Sequence, residues 1–234
     1  MMTTSNSATQ CAAGHFQDIA ASPPTTLADH LFKAQRFSLR LHFGRGEILV
    51  HEGDPADKVF KIVSGIVRIC RHTADGRRCI ADFLLPGDLL GFLECPDQPT
   101  TAEAVTAVTV VAYPRSRIDE LAQSDSALRT RIACHLSAAL LEAQHQLFVL
   151  SCQSAKERLA SFLLRLASRM DVRQGDPLHL LMTRQDIADH LGLTIETVSR
   201  SFSALRNDRV LIIPASSQLI IADMGALRRL ALED

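Results

Sequence analysis

Tryptophan and tyrosine are nearly absent from this chain. Its 234 residues include no Trp and one Tyr, although there are ten Phe. Proteins that bind single-stranded nucleic acid or RNA stack the bases on exposed aromatic side chains. The shortage of Trp and Tyr therefore argues against that kind of binding site.

An excess of charge of one sign and long apolar runs are also lacking. The formal net charge is −1 at pH 7, so the overall charge gives no support to nucleic-acid binding. No apolar run approaches the roughly 18 residues that are needed to span a bilayer. The first residues, MMTTSNSATQ, lack the basic and apolar regions of a secretory signal. We therefore expect a cytoplasmic protein.

Motifs of catalysis and of metal binding are missing as well. The sequence has no G-x-S-x-G, no phosphate-binding glycine loop and no H-E-x-x-H. No C-x-x-C pair occurs among the six cysteines, which are Cys11, Cys70, Cys79, Cys95, Cys134 and Cys152. We interpret them as free thiols in a reducing cytoplasm, with Cys95 and Cys152 the better candidates for redox sensitivity. We expect that the protein is not an enzyme and binds no metal.

The first two of four predicted segments differ in glycine content. Residues 1–28 are rich in Ser, Thr, Ala and Pro, which is typical of a flexible arm. In the second segment, residues 29–124, seven of the eleven glycines lie between residues 44 and 91. Asp75-Gly76 between two apolar runs indicates a hairpin. The pattern predicts an antiparallel β-roll with strands at 47–51, 59–63, 66–71, 78–84 and 104–113.

The third segment, residues 125–152, is predicted to be one long helix without Gly or Pro. Apolar residues recur in it at steps of three and four, as in a coiled-coil seam. The predicted dimer interface consists of Leu136, Leu140, Ala143, Leu147 and Leu150. The alternative is a helix that packs on its own β-roll, and the sequence does not separate the two.

The fourth segment, residues 153–234, is predicted to be a winged helix-turn-helix domain. Ser154 and Glu157 match a capping box, which begins a helix that ends near Met170. The boundary between the two halves of the chain is therefore expected near residues 152–154. Residues 210–213 and 218–222 flank a turn, and this strand–turn–strand pattern is typical of a wing.

The stretch TRQDIADHLGLTIETVSRSFSALRNDR, residues 183–209, predicts the helix-turn-helix itself. Thr183 and Thr194 are candidate N-caps, and Gly192 is a candidate C-cap. In the second helix the apolar residues Ile195, Val198, Phe202 and Leu205 recur at helical spacing, which predicts one buried stripe.

Four polar residues of the second helix are predicted to share its other face. We name Glu196, Ser199, Arg200 and Ser203 the recognition face, because their i, i+3, i+4 and i+7 spacing places them together. Arginine can donate two hydrogen bonds to guanine, and glutamate can accept one from cytosine. An i,i+4 Glu–Arg pair on a solvated helix is the alternative interpretation of Glu196 and Arg200. The combined pattern of caps, turn and stripe favours DNA binding.

The motif DIADHLGLTIETVSR resembles the recognition element of the Crp/Fnr superfamily of bacterial transcription regulators. Its E-x-x-S-R string is similar to the Fnr and FixK type. The resemblance extends from about residue 30 to the C-terminus, and RGEILVHEGDPADKVFKIVSGIVRI resembles the cyclic-nucleotide-binding β-roll of that family. It implies an α+β fold of β-roll, dimerisation helix and winged helix-turn-helix.

The same resemblance implies a site and partners. Arg200 is expected to contact a guanine in half-sites like TTGAT, with Glu196 close to that base and Ser199 on a base or phosphate. The predicted DNA-binding residues are Thr183, Gln185, Thr194, Glu196, Thr197, Ser199, Arg200, Ser203 and Arg206. The implied partners are double-stranded DNA, a second copy of the chain and RNA polymerase.

The sequence lacks the residues with which relatives bind two effectors, cyclic AMP and an iron–sulfur cluster. Relatives that bind cyclic AMP have a Glu after a GDxxG turn and an Arg-Ser pair further on. Here Gly87-Asp-Leu-Leu-Gly91 is followed by Phe92, and no Arg lies between Cys79 and Pro114. Fnr itself uses clustered N-terminal cysteines, whereas only Cys11 lies in this arm. We therefore expect neither cyclic AMP nor an iron–sulfur cluster.

The combination of an Fnr-type recognition helix with no cluster of N-terminal cysteines resembles the FixK subgroup. It implies a regulator that acts as an activator of genes for microaerobic respiration, denitrification or nitrogen fixation. The alternative within the same family is a regulator gated by haem or another ligand that responds to nitric oxide or redox state. The sequence does not exclude a haem site, because the axial ligand of haem can be a lone histidine.

Overall fold

Two four-stranded antiparallel sheets form a β-roll in the N-terminal half. The computed structural model describes residues 38–92 and 95–232, so the predicted arm at 1–28 and Cys11 lie outside the described residues. The strand order is β1-β8-β3-β6 in one sheet and β2-β7-β4-β5 in the other. The strands are β1 Leu39–Phe43, β2 Ile48–Val50, β3 Lys58–Ser64, β4 Val67–His72, β5 Arg78–Leu84, β6 Leu89–Leu90, β7 Thr101–Ala104 and β8 Val108–Pro114.

The β4–β5 hairpin forms where the sequence predicts it. Its ladder runs from Val67 opposite Leu84 to His72 opposite Arg78. Gly76 in the turn has φ +82°, a left-handed conformation that costs glycine little. This hairpin presents the start of β5 to the C-terminal half of the molecule.

The predicted single strand at 104–113 is wrong. The chain forms β7 and β8 there, and each belongs to a different sheet. The turn between them holds Thr106, whose hydroxyl accepts a hydrogen bond from the Ile66 N–H at 3.0 Å. The chain therefore leaves one sheet and enters the other within three residues. The apolar pattern of the sequence is unbroken there, so it does not indicate the change of sheet.

Helices connect the β-roll to the C-terminal half. A short helix that the sequence pattern did not reveal, α1 Arg115–Ser124, follows β8 directly. Helix α2, Ser126–Cys152, confirms the predicted long helix, and Asp125 caps it by accepting from the Leu128 N–H at 3.1 Å. Helix α3, Ala155–Arg169, begins after Ser154, whose N–H donates to Glu157 at 2.7 Å.

The C-terminal segment confirms the winged helix-turn-helix. Helices α4 Arg184–Leu191 and α5 Ile195–Asn207 are followed by β10 Leu211–Ala215 and β11 Gln218–Ile221. A third strand, β9 Pro177–His179, completes a small sheet of order β10-β11-β9, and α6 Met224–Leu230 ends the described chain. Neither β9 nor α6 was predicted.

The apolar core crosses the boundary between the two halves. One cluster fills the inside of the β-roll around Ile62, Val67 and Val110. A larger cluster joins Ile80 and Phe83 of the β-roll to Leu163 of α3 and Ile187 of α4. The helix-turn-helix therefore packs on the β2-β7-β4-β5 sheet through a continuous core.

Candidate nucleic-acid interface

Helix α4, the first helix of the motif, begins at a complete capping box. The Thr183 hydroxyl accepts from the Asp186 N–H at 3.1 Å, and Asp186 Oδ2 accepts from the Thr183 N–H at 3.0 Å. Two of the N–H groups that a helix start leaves unpaired are thereby satisfied. The cap also brings Asp186 into the interior, where its side chain is only 2% exposed.

The turn between the helices is held by a left-handed glycine and by an arginine from α3. Gly192 has φ +62° at the C-cap of α4, as predicted. The Leu193 N–H donates to the Ala188 carbonyl at 3.0 Å. Arg158 Nη1 donates to the Leu191 carbonyl at 3.0 Å, which satisfies one of the last carbonyls of α4. The angle at which α5 leaves α4 is therefore set from both sides.

Helix α5, the second helix, buries three of the four residues predicted for its apolar stripe. Val198, Phe202 and Leu205 are buried, whereas Ile195 is 38% exposed. The prediction is wrong for Ile195 because it is the first residue of α5. A helical side chain covers the turn that precedes its own Cα, and here that turn lies outside the helix.

The recognition face is exposed to solvent along two turns of α5. Glu196, Ser199, Arg200 and Ser203 all lie at the surface, and Thr197 beside them is half-buried. Thr194 caps the helix by accepting from the Thr197 N–H at 3.2 Å, and the two hydroxyls are 3.1 Å apart. Arg200 Nη2 donates to the Thr197 hydroxyl at 3.4 Å. These contacts link the N-cap to the guanidinium that is predicted to contact a base.

Glu196 is held in its charged form. A hydrogen bond from its own backbone N–H, then the Thr194 hydroxyl and the charge of Arg200, lower the pKa of this carboxyl below its usual range. A carboxylate at the start of a helix is favoured by the helix dipole. The recognition face therefore offers one acceptor-only group and one donor-only group, which differ in the base edges that they can bind.

The two serines of the recognition face already use their hydroxyl protons. Ser199 Oγ donates to the Ile195 carbonyl at 2.8 Å, and Ser203 Oγ donates to the Ser199 carbonyl at 3.0 Å. In this arrangement each hydroxyl offers lone pairs outward and can accept from a base amino group. To bind a phosphate as a donor, each serine must first leave its carbonyl.

The remaining predicted DNA-binding residues flank this face. Thr183 and Gln185 lie exposed at the start of α4, and Arg206 lies exposed in the last turn of α5. The Thr183 hydroxyl is engaged in the capping box, and Gln185 Nε2 donates to Asp189 Oδ1 at 2.6 Å. The Thr183 hydroxyl and the Gln185 amide therefore have partners within the protein.

One cation at the motif was not predicted. The guanidinium carbon of Arg184 lies 3.3 Å from the ring centroid of Phe202, so Arg184 links the start of α4 to the buried side of α5. Burial lowers the pKa of Arg184. In the sequence, the position of Arg184 directly before Gln185 was the available indication of this role. The contact itself was not predicted, because Phe202 lies 18 positions further along the sequence.

The predicted dimer seam is largely uncovered in the single chain. Leu140 is 60% exposed and Leu147 is 65% exposed, while Leu128 and Val149 are the buried residues of α2. Leu136 and Ala143 are also exposed, and Leu150 is half-buried. The first part of α2 packs on the N-terminal half, where Leu128 and Ile132 join one apolar cluster with Ile118 of α1 and Tyr113 of β8.

Comparisons with known proteins agree with this architecture. The cyclic nucleotide-binding domain family model matches residues 40–125, and the Crp-like helix-turn-helix domain model matches residues 157–230. The chain is 40% identical to the nitrogen fixation regulation protein FixK of Azorhizobium caulinodans, over 80% of this chain and 77% of the relative. It is 35% identical to the protein of the same name from Rhizobium meliloti, over 90% of this chain and 96% of the relative. The solved structure of FixK2 from Bradyrhizobium japonicum superposes with a TM-score of 0.79 at 32% identity, and covers 82% of this chain and 96% of that one.

A β-roll joined by a long helix to a winged helix-turn-helix with an exposed recognition face defines a DNA-binding transcription regulator, not an enzyme. The chain belongs to the Crp/Fnr family of such regulators and is FixK-like.

The Gly87–Gly91 turn, where the sequence departs from relatives that bind cyclic AMP, is held by contacts within the protein. In the Gly87–Gly91 turn, Asp88 accepts from the Leu85 N–H at 2.6 Å and pairs with Arg169 of α3. Arg169 is therefore already paired with the Asp88 carboxylate. Phe92 follows the turn and packs edge-to-face on His135 of α2, with ring centroids 5.6 Å apart. The turn therefore combines a paired carboxylate with an aromatic ring that packs on α2.

Two further properties of the described residues concern metal ions and membranes. Residues 38–92 and 95–232 contain no group of three or more His, Cys, Asp or Glu side chains arranged to hold a metal ion. No helix within the same ranges combines the length and the apolarity needed to cross a membrane.

Proposed function

We propose that the protein binds DNA as a homodimer at a palindromic site of the form TTGAT-N4-ATCAA. The observation that carries this proposal is the recognition face, with Glu196 and Arg200 exposed side by side on α5. A bidentate arginine–guanine contact discriminates between bases by roughly 1–3 kcal/mol. A two-fold dimer presents two such helices to two half-sites about one helical turn apart.

The exposed seam of α2 supports the dimer. Leu136, Leu140 and Leu147 form an apolar stripe that the single chain leaves in water, and exposed apolar residues that lie together on one surface often mark an interaction site. A second copy of the same helix matches the stripe along its whole length, because a two-fold interface pairs a surface with itself. The proposed homodimer therefore covers apolar side chains of α2 that are exposed in the single chain.

We further propose that the protein activates transcription in the cytoplasm through contacts with RNA polymerase. The proposed targets are genes of microaerobic respiration, denitrification or nitrogen fixation. The names of the FixK relatives support this assignment. The E-x-x-S-R string, which resembles the Fnr and FixK type, supports a similar target sequence.

The protein is proposed to act without cyclic AMP and without an iron–sulfur cluster. The ion pair between Asp88 of the Gly87–Gly91 turn and Arg169 of α3 supports the first part of the proposal. The lack of a C-x-x-C pair in the sequence supports the second part.

DNA binding by the purified protein tests the proposal. Affinity is measured at one salt concentration for a TTGAT-N4-ATCAA duplex and for a scrambled duplex of the same composition, without added effector. We expect the palindrome to bind about 10³-fold tighter or more, as specific sites do. Equal affinity for the two duplexes contradicts the proposal. A requirement for added cyclic AMP contradicts only its effector-free part.

A further inference from the structure

Five charged side chains form a cluster between the β-roll and the helix-turn-helix. The ion-pair cluster consists of Arg68, Arg78, Glu103, Asp186 and Asp189. Arg68 of β4 and Glu103 of β7 are direct cross-strand partners in the sheet, and Arg78 is the first residue of β5. Asp186 and Asp189 lie one helical turn apart on α4. The cluster therefore joins three strands of one domain to one helix of the other.

Asp186 is the centre of this cluster. Its Oδ1 accepts from Arg68 Nη1 at 2.8 Å and from Arg78 Nη2 at 2.6 Å. Its Oδ2 accepts from the N–H and the hydroxyl of Thr183, the N-cap of α4. One carboxylate thus fixes the start of α4 and, through its other oxygen, ties that start to the β-roll.

The cluster is shielded from water. Asp186 is 2% exposed, Asp189 13%, and Arg68 and Arg78 15% and 21%. A buried set of charges adds little net stability, because the cost of removing the charges from water offsets their attraction. Its contribution is geometric, since the fork of an arginine bonds well only in a narrow range of orientations.

A second contact fixes the other end of α4. His190 Nδ1 bonds to the Ile80 carbonyl at 3.1 Å, and its ring packs on Phe83 and Phe162 with centroids 5.4 Å and 5.6 Å away. Arg165 of α3 lies 2.9 Å from His190 Nε2. A helix that is held at both ends can neither slide along nor swing over the sheet. The orientation of α5, which follows after one tight turn, is set with it.

We infer that Arg78, Arg68 and Asp186 are positioning residues that set how far apart, and at what rotation, the dimer holds its two recognition helices. They select the spacer between half-sites and do not themselves contact DNA. The inference rests on the proposed homodimer. Each base pair added to the spacer moves one half-site by about 3.4 Å and turns it by about 35°. A rigidly held pair of helices accepts one spacer, whereas a loosened pair accepts several.

Arg78→Gln is the variant that tests this inference. It removes the charge that reaches both Asp186 and Asp189 but keeps the capping box intact. Arg77→Gln is the matched control, because Arg77 is the preceding residue, is 77% exposed, and pairs with Asp75 in the hairpin turn, away from the ion-pair cluster. Affinities are measured for duplexes with N3, N4, N5 and N6 spacers and for the scrambled duplex. Circular dichroism and sedimentation verify that each variant is a folded dimer.

We expect Arg78→Gln to reduce the preference for N4 over N5 by about tenfold relative to the unmodified protein, and Arg77→Gln to change it by less than about twofold. Discrimination between half-site sequences should survive in both variants, because the recognition face is untouched. Arg78→Lys, which keeps the charge but not the fork, should fall between the two.

Three other results have distinct meanings. Unchanged spacer preference in Arg78→Gln, with or without lower thermal stability, overturns the inference and leaves the cluster a structural role only. If Arg78→Gln does not fold, Asp189→Asn replaces it, since it removes one partner of Arg78 without touching the capping box; an unaltered spacer profile there overturns the inference equally. If the unmodified protein does not distinguish the palindrome from the scrambled duplex, the proposed function itself is wrong.

Discussion

At the scale of single residues, the recognition face combines predictable positions with unpredictable bonding. The i, i+3, i+4 and i+7 spacing placed Glu196, Ser199, Arg200 and Ser203 together, and all four are exposed. The spacing says nothing of hydroxyl rotors, however. Ser199 and Ser203 donate to carbonyls within their own helix, which limits them to accepting from a ligand until those bonds break.

Arg206 provides a test of the difference between phosphate and base contacts. It lies exposed six residues beyond Arg200, in the last turn of α5. Arg206→Ala should weaken binding to cognate and scrambled duplexes by a similar factor and lower the slope of log affinity against log salt by about one. The slope is measured by titration at four or more salt concentrations. An unchanged slope contradicts a phosphate contact by Arg206.

At the scale of helices and strands, the clearest predictions came from repeating patterns, and the shortest segments could not be predicted. Helix α2 and hairpin β4–β5 have long repeating patterns, so both were predicted with nearly correct bounds. The strands β6 and β9 have two and three residues, and α6 has seven. Such short segments complete neither a useful alternation nor two helical turns, and only tertiary contacts define them.

Helix α2 carries a prediction about assembly. Leu140→Glu places a charge in the proposed seam and should shift the protein from dimer to monomer, because a charge buried against its own copy is repelled and desolvated. Leu39→Glu is the control, since Leu39 on β1 is 64% exposed and Leu140 is 60% exposed. Sedimentation velocity at micromolar concentration measures the difference. A dimer that survives Leu140→Glu as well as Leu39→Glu argues against this face of α2 as the interface.

At the scale of the whole molecule, the main finding is the junction between the two halves. Its ion pairs join residues far apart in sequence, such as Arg68 with Asp186 and Arg78 with Asp189, at separations of 118 and 111 positions. No local periodicity connects them, so the sequence predicts the two domains but not the core that they share. The capping-box match at Thr183 and Asp186 was visible, but the second role of Asp186 was not.

His190 makes the stability of this junction depend on pH. Burial, and then the positive charge of Arg165, lower the pKa of His190 to about 4. In the unfolded chain the pKa is about 6.5, so the unfolded state takes up the proton first as the pH falls. The free energy of unfolding should therefore be fully retained above pH 6.5 and should lose about 2 kcal/mol by pH 5 through this group alone.

Urea unfolding of the protein and of His190→Gln, at pH 7.5 and pH 5, measures this contribution. His179→Gln is the control, because His179 lies exposed on β9. The loss on acidification should be smaller in His190→Gln than in the unmodified protein, and unchanged in His179→Gln. Equal losses in all three proteins contradict a buried neutral His190.

The most direct test of the central claim pairs one residue with one base. Affinities are measured for the unmodified protein and Arg200→Ala, each on TTGAT-N4-ATCAA and on a duplex in which the guanine of both half-sites is replaced. If Arg200 contacts that guanine, the unmodified protein loses roughly 1–3 kcal/mol per half-site on the altered duplex, while Arg200→Ala binds both duplexes about equally. If Arg200→Ala prefers the original duplex as strongly as the unmodified protein does, Arg200 does not contact the guanine and the account of the recognition face is wrong.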